Sequence, residues 1–434
     1  MKIIFTHLLV TFLLVSAGLS TSQCSKGSKI SEENVSRIIK TLSSDEMKGR
    51  SAFSPEAAHA ADFISNEFQQ AGLEPFSNLE DYHQDFTIYS ISPRTTSITI
   101  NQKEIDEGDY FSRLYSRKVN WENSDVEIFR ISVDDDFRAK QRQYSNNGSS
   151  SVILVDESHK DWFHRYRMYF SRPTRAFELD SSENNVFILY SDSVTSLEIN
   201  IENSVETIEL FNVVGQIEGN RPNEVVIFSA HYDHIGVRSP VDGDSIANGA
   251  NDNASGVAAV IELARHFEAL PKPERTLLFV GFTAEEAGGY GSKYFSELLD
   301  PENIIAMFNI EMIGKPAVSG VNSAWITGFE FSTFGEILQN SVKDSSFVFY
   351  PDPYPNQNLF YRSDNATLAR LGVPAHSIST TPIDMDEDYH SVNDEFATIN
   401  ISHATNTIFA IAKAAEEIIS GKETPTRIDP EEVK

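Results

Sequence analysis

The segment VVIFSAHYDH, residues 225–234, decides the fold, because a run of apolar residues typical of a buried strand ends there in polar side chains. Apolar runs recur at residues 276–282 and 304–310, each again followed by acidic residues. Near-continuous apolar strands are typical of a parallel sheet that is covered by helices on both faces. Between the first two runs, residues 254–270 carry apolar side chains at helical spacing, which completes a βαβ unit. We therefore predict an α/β fold with a mostly parallel central sheet.

Carboxylates and imidazoles follow the predicted strands. In open α/β sheets the functional crevice lies beyond the carboxyl ends of the strands, so these side chains are expected to meet there. The candidate metal ligands are His231, Asp252, Glu286, Glu311 and His390. Zinc accepts both ligand types, and this set is large enough for two ions that share one carboxylate. Glu285 is the candidate general base, because adjacent side chains at a strand end point in different directions.

These residues also form a series of motifs. A His-x-Asp, an Asp-Asn-x-Ser-Gly, a Glu-Glu, an acidic residue before Met-Ile-Gly and a late Tyr-His follow one another along the chain. In this order they resemble the zinc-dependent exopeptidases that include bacterial leucine aminopeptidase, aminopeptidase Y and glutamate carboxypeptidase. The resemblance covers most of the chain from about Ile30 onward, and it implies a phosphorylase/hydrolase-like α/β fold.

The resemblance also implies a role for each motif. One zinc would be surrounded by His231, Glu311 and a bridging Asp252, and the other by Asp252, Glu286 and His390. Glu285 would be the general base, and Asp233 would be the partner that orients the ring of His231. Most relatives carry Asp where this chain has Glu311, so the carboxylate here is one methylene longer.

The function predicted from these motifs is that of an exported di-zinc aminopeptidase. Metal-activated water would attack the amino-terminal peptide bond, with Tyr389 contributing to oxyanion stabilisation and Asp364 binding the substrate amine. A glutamate-carboxypeptidase-like enzyme is an alternative, but Arg362 is the only arginine placed near the site by sequence. A glutaminyl-cyclase-like enzyme and a non-catalytic binding domain are further alternatives. The full set of candidate ligands argues against both.

The domain organisation follows from composition. Residues 1–24 have the pattern of a signal peptide, residues 25–92 form a helical part of the peptidase domain, and residues 210–434 form its catalytic part. Residues 93–209 read as short alternating strands and resemble a β-rich protease-associated insert. The single cysteine, Cys24, follows the apolar run, so periplasmic, extracellular and lipid-anchored locations are all compatible with export.

The charge balance limits the possible partners. With 64 acidic and 35 basic residues, the net charge of −29 disfavours nucleic acids and anionic membranes, because phosphate contacts need a basic face. The expected partner is therefore a peptide substrate, and no membrane span is expected in the mature chain. Neither the oligomeric state nor the preferred side chain follows from the sequence.

Overall fold

The computed structural model describes residues 30–77, 79–180 and 182–433. The predicted signal peptide, with Cys24, lies outside the described residues. Among the helices that are described, none is long and apolar enough to cross a bilayer.

The described residues form both α-helices and β-strands. The α-helices are α1 (Glu32–Leu42), α2 (Pro55–Ala71), α3 (Phe137–Ser145), α4 (Lys160–Phe170), α5 (Gly256–Glu268), α6 (Tyr290–Glu297), α7 (Phe334–Ser341), α8 (Asn365–Ala369) and α9 (Ile401–Ile419). The first ten strands are β1 (Glu74–Pro75), β2 (His83–Ile100), β3 (Lys103–Glu104), β4 (Tyr110–Arg113), β5 (Lys118–Glu122), β6 (Glu127–Ile131), β7 (Ser151–Val155), β8 (Thr174–Ala176), β9 (Asn185–Leu189) and β10 (Leu197–Ile217). The later strands are β11 (Arg221–His231), β12 (Gly236–Val241), β13 (Asp244–Ala247), β14 (Arg275–Phe282), β15 (Ile304–Glu311), β16 (Ser323–Ile326), β17 (Val348–Pro351) and β18 (Ala375–Ser379).

A twelve-stranded sheet forms the centre of the molecule. Nine of its strands lie side by side in the order β17, β16, β18, β15, β11, β14, β10, β2 and β3. Strands β18, β15, β11 and β14 are parallel, whereas β16 and β10 join this group antiparallel. One face packs against α1, α2, α5, α7 and α9, and the other face packs against α6 and α8. The predicted α/β class, with a mostly parallel central sheet and helices on both faces, is confirmed.

The parallel register determines where the functional side chains lie. His231 at the end of β11 pairs with Phe282 at the end of β14, and Ser229 on β11 pairs with Asn309 on β15. Residues that follow these strands therefore leave the sheet at the same edge. This shared edge explains how motifs far apart in sequence reach one site.

A second lobe is carried by two long strands that leave the central sheet. Strands β2 and β10 pair antiparallel from His83 with Val213 to Ile100 with Leu197. They lead to a four-stranded sheet of order β4, β9, β7 and β6, which packs with α3 and α4. The predicted boundaries at residues 93 and 209 fall inside the two continuous strands, because the same strands serve both lobes. The protease-associated character of this lobe stays a prediction.

Candidate metal centre

A first group of ligand-type side chains surrounds His231, at the carboxyl end of β11. Its Nε2 lies 3.3 Å from Asp252 Oδ1 and 3.3 Å from Glu311 Oε2. His231 and Asp252 are almost fully buried, and Glu311 is nearly so. These three side chains can direct one atom each toward a common cation.

A second group lies on the other side of Asp252. His390 Nε2 is 3.3 Å from Asp252 Oδ2 and 3.1 Å from Glu286 Oε2. His234 also reaches this place, with Nδ1 3.0 Å from Glu286 Oε1 and 3.7 Å from Asp252 Oδ2. Asp252 therefore presents one oxygen to each group. Two imidazoles approach the second group, where sequence analysis assigned only His390.

The loop that carries Asp252 is fixed by a buried carboxylate, Asp394. Its two oxygens accept hydrogen bonds from the main-chain amides of Asn251, at 2.8 Å, and Asp252, at 2.9 Å. Burial raises the pKa of Asp394 to about 6. These bonds fix the main chain at the point where the bridging carboxylate leaves it.

The same loop also fixes the turn that follows β15. The amides of Met312, Ile313 and Gly314 donate to Asn253 Oδ1, Ser255 Oγ and Asn251 Oδ1, at 2.8 to 3.0 Å. Met312 has a φ of 52°, a left-handed conformation that is costly for a residue with a side chain. Three consecutive side-chain acceptors compensate for this cost and couple the Asp252 loop to Glu311.

The longer carboxylate of Glu311 is held from several sides. Oε1 accepts hydrogen bonds from Ser363 Oγ, at 2.6 Å, and Asn309 Nδ2, at 3.2 Å. Oε2 accepts one from Asn253 Nδ2, at 2.9 Å, and is the oxygen that faces His231. The extra methylene, relative to the usual Asp, is thus accommodated with one oxygen directed at the first group.

Glu285 and Glu286 diverge at the end of β14, and Asp233 anchors both. The Asp233 carboxylate accepts the amides of Glu285, at 3.0 Å, and Glu286, at 3.3 Å. The ring of His231 contacts Asp233 mainly through the main-chain carbonyl, 3.0 Å from Nδ1, whereas the carboxylate is 3.8 Å away. The predicted orienting contact is therefore made by the backbone. Burial raises the pKa of Asp233 to about 6 and that of Glu285 well above its usual range.

A fully buried arginine, Arg50, ties the amino-terminal segment to these loops. Its guanidinium donates to the main-chain carbonyls of Tyr232, Leu42 and Gly249, at 2.7, 3.0 and 2.7 Å. Burial lowers its pKa to about 10, whereas the surrounding carboxylates, Asp394 foremost, oppose that change. A five-donor planar group suits a site where several carbonyls converge.

An open cleft of about 580 Å³ leads to both groups of ligands. Met312, Trp325, Leu359 and Ile383 form an apolar part of its wall. Tyr389 also lines it, stacks on the ring of His390 and accepts a hydrogen bond from Arg362 at 3.3 Å.

Asp364 does not lie where sequence analysis expected it. Its side chain is buried away from the cleft lining, and neither carboxylate oxygen has a hydrogen-bond partner within the described residues. Burial raises its pKa to about 7. The carboxylates that do line the cleft are those of Asp252, Glu285, Glu286 and Glu311.

Sequence reasoning missed several residues that shape the centre. His234, Arg50, Asp394 and Ser363 contact the candidate ligands or their main chain. The spacing of His231 and His234 was a visible signal, since both follow the same strand. Arg50 lies far away in sequence, in residues 42–50, which resemble the amino-terminal segment of these exopeptidases but suggested no role at the site.

The donor sets suit a divalent metal. Imidazole nitrogens and carboxylate oxygens from three segments converge twice, and Asp252 belongs to both sets. Zinc accepts this combination, and buried carboxylates held close together favour a bound cation. The fold and the centre together define an α/β protein with two adjoining groups of side chains that could each hold a divalent metal.

Comparison with known proteins points to one family. Residues 212–415, just under half of the chain, match the model of Peptidase family M28. The resemblance identified from the sequence motifs is confirmed.

Two curated relatives are similar to parts of the chain. A probable leucine aminopeptidase 2 of Arthroderma benhamiae is 27% identical over 282 residues, which cover 59% of this chain and 54% of that protein. A probable zinc metalloprotease of Pyricularia oryzae is 36% identical over 111 residues, covering 25% of this chain and 22% of that protein. The chain thus spans about half, or less, of the length of these curated relatives.

Two solved structures share the fold. An aminopeptidase from Aneurinibacillus sp. strain AM-1 superposes with a TM-score of 0.55 at 19% identity, covering 89% of this chain and 94% of that one. A zinc aminopeptidase from Bacillus subtilis gives 0.54 at 13% identity, covering 94% and 100%.

Proposed function

We propose that this protein is an exported metallo-aminopeptidase that uses two zinc ions to remove amino-terminal residues from peptides. The observation that carries the proposal is the position of Asp252. Its two oxygens face separate groups, His231 with Glu311 and His390 with Glu286, at 3.1 to 3.3 Å for the contacts that involve an imidazole. The names of the relatives support both zinc and aminopeptidase activity.

Zinc held by the two groups would supply Lewis acidity, polarising the scissile carbonyl and activating a water molecule. Glu285 lines the cleft beside His231 and leaves only 15% of its side chain exposed. There it would accept the proton of the attacking water and return it to the amine of the leaving peptide. The hydroxyl of Tyr389 would donate to the developing oxyanion.

Glu285 and Glu286, the two glutamates that follow β14, have different roles in this proposal. Glu286 directs Oε2 toward His390 while its Oε1 accepts from His234, so this side chain is oriented as a ligand. Glu285 has its amide fixed by Asp233, and its carboxylate stays free for proton transfer. The export part of the proposal rests on the sequence of residues 1–24 alone.

The test combines metal analysis with a panel of substrates. Purified protein should contain two zinc ions per chain and cleave unblocked aminoacyl chromogenic substrates. Amino-terminal acetylation of a good peptide substrate should abolish cleavage, because the carboxylates of the cleft would then lack the ammonium they face. Equal cleavage of blocked and free peptides would instead indicate an endopeptidase, and a metal-free inactive protein would indicate a binding domain.

A further inference from the structure

A second and larger cleft adjoins the metal centre between the two lobes. It measures about 1770 Å³, and its walls come from the segment after Arg50, from β4, from the end of α4 and from the loops after β11 and β14. Glu286 lines this cleft as well as the catalytic one, so one side chain borders both clefts. Four arginines line it, and we call it the arginine cleft: Arg113, Arg172, Arg175 and Arg238.

These arginines are unusual in so acidic a chain. The protein has 64 acidic and 35 basic residues, yet within the described residues none of the four has a carboxylate within 4.0 Å. Arg172 and Arg175 are close enough for their charges to repel. Burial lowers the pKa of Arg175, and the charge of Arg172 lowers it further. Like charges gathered without partners indicate a site for an anion.

Aromatic rings hold two of the guanidinium groups. Arg175 lies over the ring of Phe53, with 4.0 Å between Cζ and the ring centroid, and Arg113 lies over Tyr115 at 5.3 Å. Stacking leaves the N–H edges of a guanidinium available for in-plane acceptors. The buried Nε of Arg175 has no hydrogen-bond partner among the described residues. At Arg175 the cleft thus presents an oriented donor that no described group of the protein accepts.

We propose that the arginine cleft binds carboxylates of the peptide downstream of the scissile bond, so that the enzyme prefers substrates with acidic residues after the first. This inference rests on the proposed aminopeptidase function. The first residue would occupy the apolar part of the catalytic cleft, and the remaining chain would leave past Glu286 into the arginine cleft. Guanidinium forks match carboxylates in geometry and charge.

The preference must arise at short range. At −29, the whole molecule repels an anionic peptide at a distance, so the cleft does not accelerate encounter. Its contribution is made once the peptide is seated, where guanidinium groups at the mouth and along the wall meet carboxylates directly. We therefore expect the preference to appear in kcat/KM for matched peptides.

The experiment compares two amidated peptides with the same amino-terminal leucine, Leu-Glu-Glu-Ala and Leu-Gln-Gln-Ala. The native protein should favour the acidic peptide by about tenfold in kcat/KM, the value of one charge-assisted contact. Arg172→Gln and Arg238→Gln should each reduce this ratio several-fold. Both side chains are exposed, so these changes do not threaten folding. Arg165→Gln removes the same charge from an exposed position on α4 outside the cleft, and it should leave the ratio unchanged.

The outcomes separate the two proposals. Efficient cleavage of both peptides at equal rates, or a ratio that neither cleft variant alters, overturns the inference while the aminopeptidase function stands. A ratio that falls equally in Arg165→Gln also overturns it, because the effect would then be one of net charge. Failure to cleave any unblocked leucyl peptide overturns both proposals.

Discussion

The metal centre and the arginine cleft share Glu286 but are built in opposite ways. In the metal centre the candidate ligands have partners: Asp252 faces imidazoles on both sides, and Glu311 accepts three hydrogen bonds from neutral side chains. In the arginine cleft four arginines gather, and none of them has a carboxylate of the described residues within 4.0 Å.

The two regions differ in how rigidly their side chains are held before a ligand binds. Side chains at the ends of parallel strands start from a rigid edge, and the loops around Asp252 lock them further through Asp394 and Arg50. The arginines come from separate lobes; two of them lie over aromatic rings, and the other two are exposed. The first region is suited to chemistry that tolerates little displacement. The second is suited to recognition of peptides that differ in sequence.

The largest expected effect tests the division of labour inside the metal centre. Glu285→Gln should lower kcat by ~10²–10⁴-fold, because proton transfer is lost, while both metals stay bound. Glu286→Gln should instead lower the metal content. Turnover and metal stoichiometry of the two variants, measured on the same preparations, check this. Near-native turnover in Glu285→Gln would remove its assignment as the base.

A substitution of Arg50 tests whether this residue holds the loops of the metal centre in place. Arg50→Met should lower the free energy of unfolding by ~3 kcal/mol or more, because several buried carbonyls lose a donor at ~1–3 kcal/mol each. Urea denaturation measures this, and the exposed Arg165→Met is the matched control, expected to change stability by less than ~0.5 kcal/mol. Equal stability of the two variants would mean that Arg50 does not hold the loops together.

The two imidazoles near Glu286 sharpen the description of the second group. His390→Ala should remove one of the two metals, because it takes away a ligand that faces both Asp252 and Glu286. His234→Gln should weaken that metal by ~10–100-fold, as expected for a residue that orients a ligand. Competition with a chelator measures both. The reverse order of effects would make His234 the ligand.

The smallest expected effect separates the two regions by their response to salt. Raising the ionic strength from ~0.1 to ~1 M shortens the Debye length from about 10 to about 3 Å, which screens exposed charges. The preference for the acidic peptide should fall a few-fold, whereas kcat for the neutral peptide should change little. A preference that is insensitive to salt would contradict recognition by the exposed arginines.

Much of the metal centre was predictable because it obeys local rules. Apolar strands that end in polar residues predicted both the sheet and its functional edge, and His231, Asp252, Glu286, Glu311 and His390 are brought together there. The parallel register makes this possible, since strands of one direction end at one edge whatever their separation in sequence.

The features that the sequence did not predict are those that depend on tertiary packing. Asp364 was expected to bind the substrate amine, but packing buries its carboxylate, which does not line the cleft. The predicted boundaries at residues 93 and 209 fall inside β2 and β10, which run through both lobes. No periodicity marks the point at which a continuous strand passes from one lobe into the other.

The sequence by itself indicated the fold class, the family resemblance and the candidate ligands, because strand patterns and strand-end motifs lie in contiguous residues. Only the tertiary structure decided that Arg50 sits under the metal loops and that Arg113, Arg172, Arg175 and Arg238 share one cleft. Those residues lie on separate segments, and their proximity results from packing of the second lobe against the sheet. Charge clusters assembled across lobes have no sequence period, so their positions emerge only when the chain is folded.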